Sequence, residues 1–209
     1  MNTRTNELLN QAFAHANRQD FKSALKYCDL ALQEEPNSAL VRYDKGFVLQ
    51  SLGHSKEALK EFEKALELDP KLFKTYRGIA VAHMAMGEHD KAYQTLLQWI
   101  KKDPADITPY QHLPPTKKFD HKDLPLVKEI ENKLEKFPAS SKEAVELHFV
   151  LGKIYDDLKE YDKAFAHYKK GNEIQSKSTP FEKKEDELRK YMAAHIATFD
   201  AEFFNKRKD

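Results

Sequence analysis

Two histidines, His112 and His121, flank a proline-rich stretch of this 209-residue chain. Imidazoles bind metal, but a protein metal site needs three or four ligands, and no third stands near this pair. The stretch therefore reads as a solvated loop. Asp156, Asp157 and Glu160 form a carboxylate cluster that falls on a helix end and turn, where such groups are usually hydrated. The single cysteine, Cys28, lies on the apolar face of a helix and reads as an inert core thiol. Sequences of the form GxxxxGK(S/T), GxGxxG, HExxH and CxxC are all missing from the chain. The residues thus predict no catalytic group, no metal and no cofactor.

Composition narrows the class further. Lys and Arg number 35 against 34 Asp and Glu, a net charge of +1, so no basic excess points to nucleic acid. A mean hydropathy of −0.77 with 40% hydrophobic residues suits amphipathic helices that bury one stripe each. One cysteine rules out an intramolecular disulfide framework and fits a reducing compartment. The first residues, MNTRTNELLNQ, lack the apolar run of a signal peptide, and no stretch is apolar enough to span a bilayer. A cytoplasmic protein with no membrane partner is expected.

What positions the side chains is a repeat. Pro36, Pro70 and Pro104 are 34 residues apart, as are Ala24, Ala58 and Ala92, and Ala12, Gly46 and Ala80. Each unit reads as two helices joined by a short turn. Gly53 and Gly87 sit where the chain reverses, and each proline stops a second helix. Self-similarity at this period marks a helix–turn–helix array, a surface suited to binding and seldom to catalysis.

These residues resemble the tetratricopeptide repeat, whose pattern is W-x2-L-G-x2-Y…A-x3-F…P. The second unit agrees best, at Gly46, Ala58, Phe62, Ala65 and Pro70. The first departs at Ala12, His15 and Cys28, and the third puts Trp99 where a small residue is usual. The resemblance implies an all-α fold, a right-handed superhelix (α-solenoid), with three regular repeats over 5–104. A proline-rich break over 105–122 is too irregular for a continuous helix. A helix and a fourth repeat over 123–178 follow, with Pro125 in the first helical turn and Ser140 or Ser141 as the next N-cap. A capping helix and tail over 179–209 complete the chain.

In such arrays the first helix of each pair lines a concave groove. Counting in register predicts a peptide-binding set of Phe13, Asn17, Tyr43, Phe47, Lys74 and Arg77. The aromatics would form a floor and the two cations a rim, suited to a peptide with apolar anchors and a carboxylate. The same aromatics could instead pack inside the array. The family's carboxylate clamp for chaperone tails uses lysines, asparagines and an arginine. Its positions correspond here to Leu9, Phe13, Asp44, Lys74 and Gly78, and only Lys74 agrees, so that use is disfavoured.

A second resemblance covers roughly 120–204. Gly152, Lys153, Tyr155, Asp156, Asp157, Leu158, Tyr161, Ala164, Phe165 and Tyr168 look like the last repeat before a sulfotransferase domain in bacterial proteins. The loop of that domain that cradles the phosphosulfate donor has no counterpart here, so none of its residues is carried over. The expected function is a scaffold that binds a protein or peptide, with the arm of such an enzyme as the alternative. Self-association is a third option, since solenoid ends pair readily.

Overall fold

The computed structural model describes residues 2–178. It divides into two compact units, Met1–Asp123 and Leu124–Asp209. The expected capping helix over 179–209 lies outside the described residues.

The first unit is a row of helix pairs. They are α1 (Thr3–Asn17) with α2 (Phe21–Glu34), α3 (Ala39–Ser51) with α4 (Ser55–Leu68), and α5 (Lys74–Ala85) with α6 (His89–Lys102). Side-chain caps fix several starts. Asn2 accepts from the Thr5 amide at 2.7 Å and Asp20 from the Ser23 amide at 3.1 Å. Such a bond satisfies an amide that the helix cannot. Between paired helices the chain passes through the left-handed region at Gly53 and Gly87, with φ of 81° and 75°. Gln19 stands 34 residues before Gly53 and adopts the same conformation, with φ of 60°. His15 and His83 close their turns by bonding Asp20 and Glu88 at 3.0 and 2.7 Å, which gives both a packing role.

Small residues let paired helices approach. Ala24, Ala31, Ala58, Ala65 and Ala92 are buried, as is Cys28, whose thiol burial pushes up to about 12. Trp99 fills the place of the expected small residue. It is buried and stacks with Tyr76 at 6.4 Å between ring centroids. The most confined ring is Phe62 on α4. It lies against Gly46 of α3 and Gly78 of α5, where a Cβ would come within 2.7 Å of ring atoms.

The proline-rich segment is packed rather than loose. It contains one helical turn, α7 (Thr108–Gln111), and buries Ile107, Tyr110, Leu113 and Phe119. Tyr110 and Leu113 stand 34 residues after Tyr76 and Ile79, so the segment starts as a fourth first helix in register. Pro114, in the register of Ala80, then ends it, because proline supplies no amide for the next bond. Its far end is held by Asp123, which accepts from Lys117 at 2.9 Å and from the Asp120 amide at 2.9 Å. The expectation of a solvated loop here is therefore corrected.

The second unit holds α8 (Leu124–Leu134), α9 (Lys142–Asp157) and α10 (Tyr161–Ser178). Of the two candidate caps, Ser141 accepts from the Ala144 amide at 3.0 Å. Replacing it with alanine should cost about 1 kcal/mol of stability, readable by urea unfolding. Helices α9 and α10 approach where Gly152 meets the Tyr168 ring and Gly171 the Phe149 ring. The Tyr155 hydroxyl of α9 donates to Glu131 of α8 at 2.6 Å. Lys153 and Lys163 pair with Asp157 and Glu160, so two members of the carboxylate cluster are neutralised by neighbours.

Candidate interaction groove

Consecutive first helices present equivalent positions side by side. Phe13 of α1, Phe47 of α3 and Val81 of α5 are spaced 34 apart, and they are 48%, 44% and 40% exposed. The opposite faces of these helices explain why. Leu8, Val48 and Ala82 are spent on the interior, and among the described residues no second helix covers the remaining face. Single exposed apolar residues carry no message, but three at one repeat position form a stripe.

Beside this stripe lies a cavity of about 260 Å³ lined by Tyr43, Phe47, Gln50, Phe62, Arg77, Gly78, Val81 and His112. Gln50 Nε2 donates to the Gly78 carbonyl at 3.4 Å, which ties α3 to α5 along its floor. Of the predicted set, the structure brings Tyr43, Phe47 and Arg77 to this cavity. Phe13 stands one repeat away on the same stripe. Asn17 is exposed at the last residue of α1 and is not part of the lining.

Two of these residues have further contacts. Tyr43 is only 9% exposed, with its ring 5.7 Å from Phe62, so it is a core residue that borders the cavity. Lys74 is not a free rim cation, because its Nζ lies 4.0 Å from the centre of the Tyr43 ring. It also faces Asp44, a buried side chain whose Oδ2 has no hydrogen-bond partner. Desolvation pushes the Asp44 carboxyl up to about 6, and the Lys74 charge opposes that rise.

His112, which the sequence alone places beside a solvated loop, also lines the cavity, and its imidazole is held below its ordinary value by burial first and by the Arg77 charge second. A signal was available: it stands 34 residues after Gly78.

A separate cavity in the second unit is lined by residues that include Val127, Glu131, Tyr155 and His167. His167 Nδ1 lies 3.0 Å from His148 Nδ1, so one ring must donate to the other. Burial lowers both imidazoles, and for His148 the charges of His167 and Lys170 add to it. A histidine lowered in the folded state leaves the unfolded chain binding more protons as pH falls through about 6.5. Stability is therefore complete above that pH and lost below it. The melting temperature of the second unit should drop by several degrees between pH 7 and 5. His148→Gln should flatten that profile.

Among the described residues, no group of three or more His, Cys, Asp or Glu is arranged to hold a metal ion. No described helix is long and apolar enough to cross a membrane.

Three family models, each described as a tetratricopeptide repeat, match residues 11–87, 75–108 and 145–178. The chain is 33% identical over 86 residues to Hsp70-Hsp90 organizing protein 3 of Arabidopsis thaliana. That match spans 41% of this chain and 15% of the relative's length. Among solved structures, it is similar to MamA (residues 41 to the end) of Desulfovibrio magneticus RS-1, with a TM-score of 0.66 and 20% identity. That likeness covers 86% of this chain and 99% of the other. It is also similar to YrrB, a TPR protein with an unusual peptide-binding site, with a TM-score of 0.57 and 19% identity. Here 80% of this chain and 84% of the other are covered. At these identities the two structures speak for the α-solenoid fold.

Proposed function

Because the chain is a tetratricopeptide-repeat protein, we propose that it is a non-catalytic scaffold holding a peptide segment of a partner protein along α1, α3 and α5. The observation that carries this is the aligned stripe of Phe13, Phe47 and Val81, left exposed beside a cavity lined in part by the Arg77 guanidinium. In this reading Phe13 and Phe47 receive apolar anchors, Arg77 meets a charged group, and Tyr43 and Lys74 form the wall. Asn17 would serve a longer ligand that passes the end of α1.

Clamping of a chaperone tail is not proposed for this chain, although a plant relative is named an Hsp70-Hsp90 organizing protein. Four of the five clamp positions hold Leu9, Phe13, Asp44 and Gly78, which offer neither the cations nor the side-chain amides that a carboxylate clamp uses. A cytoplasmic site of action is supported by the buried free thiol of Cys28.

An array of immobilised twelve-residue peptides incubated with the full chain tests the scaffold reading. Retained peptides should share apolar anchors, and Phe47→Glu should release them. Retention that ignores this substitution, or a dimer by light scattering that Phe47→Glu turns into a monomer, would overturn it.

The narrower reading, an arm that recruits substrate for a sulfotransferase, rests on the motif of the second unit. Several motif residues there have packing reasons, since Gly152 and Tyr168 meet between α9 and α10 and Leu158 is buried. Reading the gene beyond codon 209 for a P-R-S-G-T-like segment decides it.

A further inference from the structure

Two cationic or protonatable groups converge in the groove from different elements. Arg77 projects from α5 and is exposed, and it makes no ion pair among the described residues. The His112 ring follows α7, is half-buried, and makes no hydrogen bond among the described residues. Its backbone is fixed on both sides, since Tyr110 and Leu113 are fully buried. No carboxylate lines this cavity. A guanidinium and an imidazole that have no side-chain partner among the described residues, in one cavity beside an apolar stripe, match an anionic group joined to an apolar one.

We propose that Arg77 and His112 form an anion subsite, which takes a side-chain or terminal carboxylate of the bound segment while its apolar neighbour rests on Phe47 and Val81. This rests on the groove reading above and specifies the chemistry of the ligand. The subsite exists because the proline-rich segment starts in register, placing His112 at the repeat position of Gly78 and in the cavity that Arg77 lines.

Binding then involves a proton. In the empty groove burial and the Arg77 charge keep the imidazole neutral. A carboxylate placed between them reverses that preference, so His112 takes a proton from solvent and both groups make charge-assisted bonds. The other groups facing this position are Gln50 and Tyr43 of α3, while Lys74 of α5 is engaged with Tyr43 and Asp44. The affinity for a carboxylate should accordingly rise as pH falls from 8 towards 6.

The probes are 4-phenylbutyrate and its amide, titrated separately into the full chain and followed by NMR. The acid is expected to bind about tenfold more tightly than the amide at pH 6.5, a difference worth about 1.4 kcal/mol. It should raise the apparent pKa of His112 on saturation and shift the signals of Phe47 and Val81. Arg77→Gln, an exposed change that leaves helicity intact, should remove the preference, as should His112→Gln. If the amide binds equally well, or His112 does not move while Phe47 and Val81 do, the subsite is overturned and the groove stands. If acid-induced shifts fall only on lysines elsewhere, the subsite is likewise overturned. If neither probe reaches Phe47 or Val81, the groove reading falls with it.

Discussion

Replacing Phe62 with alanine should lower the unfolding free energy of the first unit by about 3–5 kcal/mol, the range for truncating a buried aromatic ring. The ring is 1% exposed, and its outer end lies against the backbones of both α3 and α5, at Gly46 and Gly78. Neither helix can move in to fill the space without leaving its other partners, so the cavity persists. The reverse change acts on the same contact. Gly78→Val places its Cβ 2.7 Å from the Phe62 ring, closer than real Cβ atoms come, and the ring must leave its seat. A comparable loss is expected, beyond the usual 1–3 kcal/mol of overpacking. Phe165, 70% exposed on α10, provides the control: its truncation should change stability by less than about 0.5 kcal/mol. Urea unfolding reads all three. A Phe62→Ala midpoint indistinguishable from that of Phe165→Ala would mean that the interdigitation of α3, α4 and α5 does not hold the array together.

Phe47→Glu should abolish ligand capture while leaving the helices intact. The side chain is 44% exposed, so folding does not depend on its burial, and a glutamate at this exposed helical site costs little. In the complex the consequence is different. An apolar anchor at the centre of a groove is worth about 2 kcal/mol or more, a factor of about thirty in affinity, and a carboxylate there must also be desolvated. Circular dichroism and peptide binding, measured together, separate the two effects. Loss of helicity would make Phe47 a core residue and sink the groove assignment. Unchanged affinity would move the binding surface to another face.

The repeat was legible because packing demands small residues at fixed intervals. Ala24, Ala58 and Ala92 are all buried where the period places them. The side of each first helix was legible too, which is why Phe13 and Phe47 emerge exposed. Less legible was what each exposed cation does. Lys74 and Arg77 look alike in sequence, yet one lies on the Tyr43 ring beside Asp44 and the other has no ion-pair partner among the described residues. That difference depends on side-chain neighbours from another repeat. The proline-rich segment misled for a related reason. Four prolines mask a register that Tyr110 and Leu113 preserve, and burial of those two side chains outweighs the helix-breaking residues. Trp99 shows a further limit: a period marks where a residue sits, but the room there depends on Tyr76 across the pair.

The in-register start of α7 sets a rule for changing the length of this protein. The segment from Ile107 to Asp123 docks on the last regular helix pair, and in arrays of this kind each pair touches only its neighbours. A duplicate of residues 71–104 inserted after Pro104 would offer that segment the same helix surface, one repeat further along. Insertions of 34 residues, or multiples of it, should therefore be tolerated, whereas 30 or 38 would rotate Tyr110 and His112 off their seats. The groove can be lengthened in whole steps, and its closing segment travels with the end.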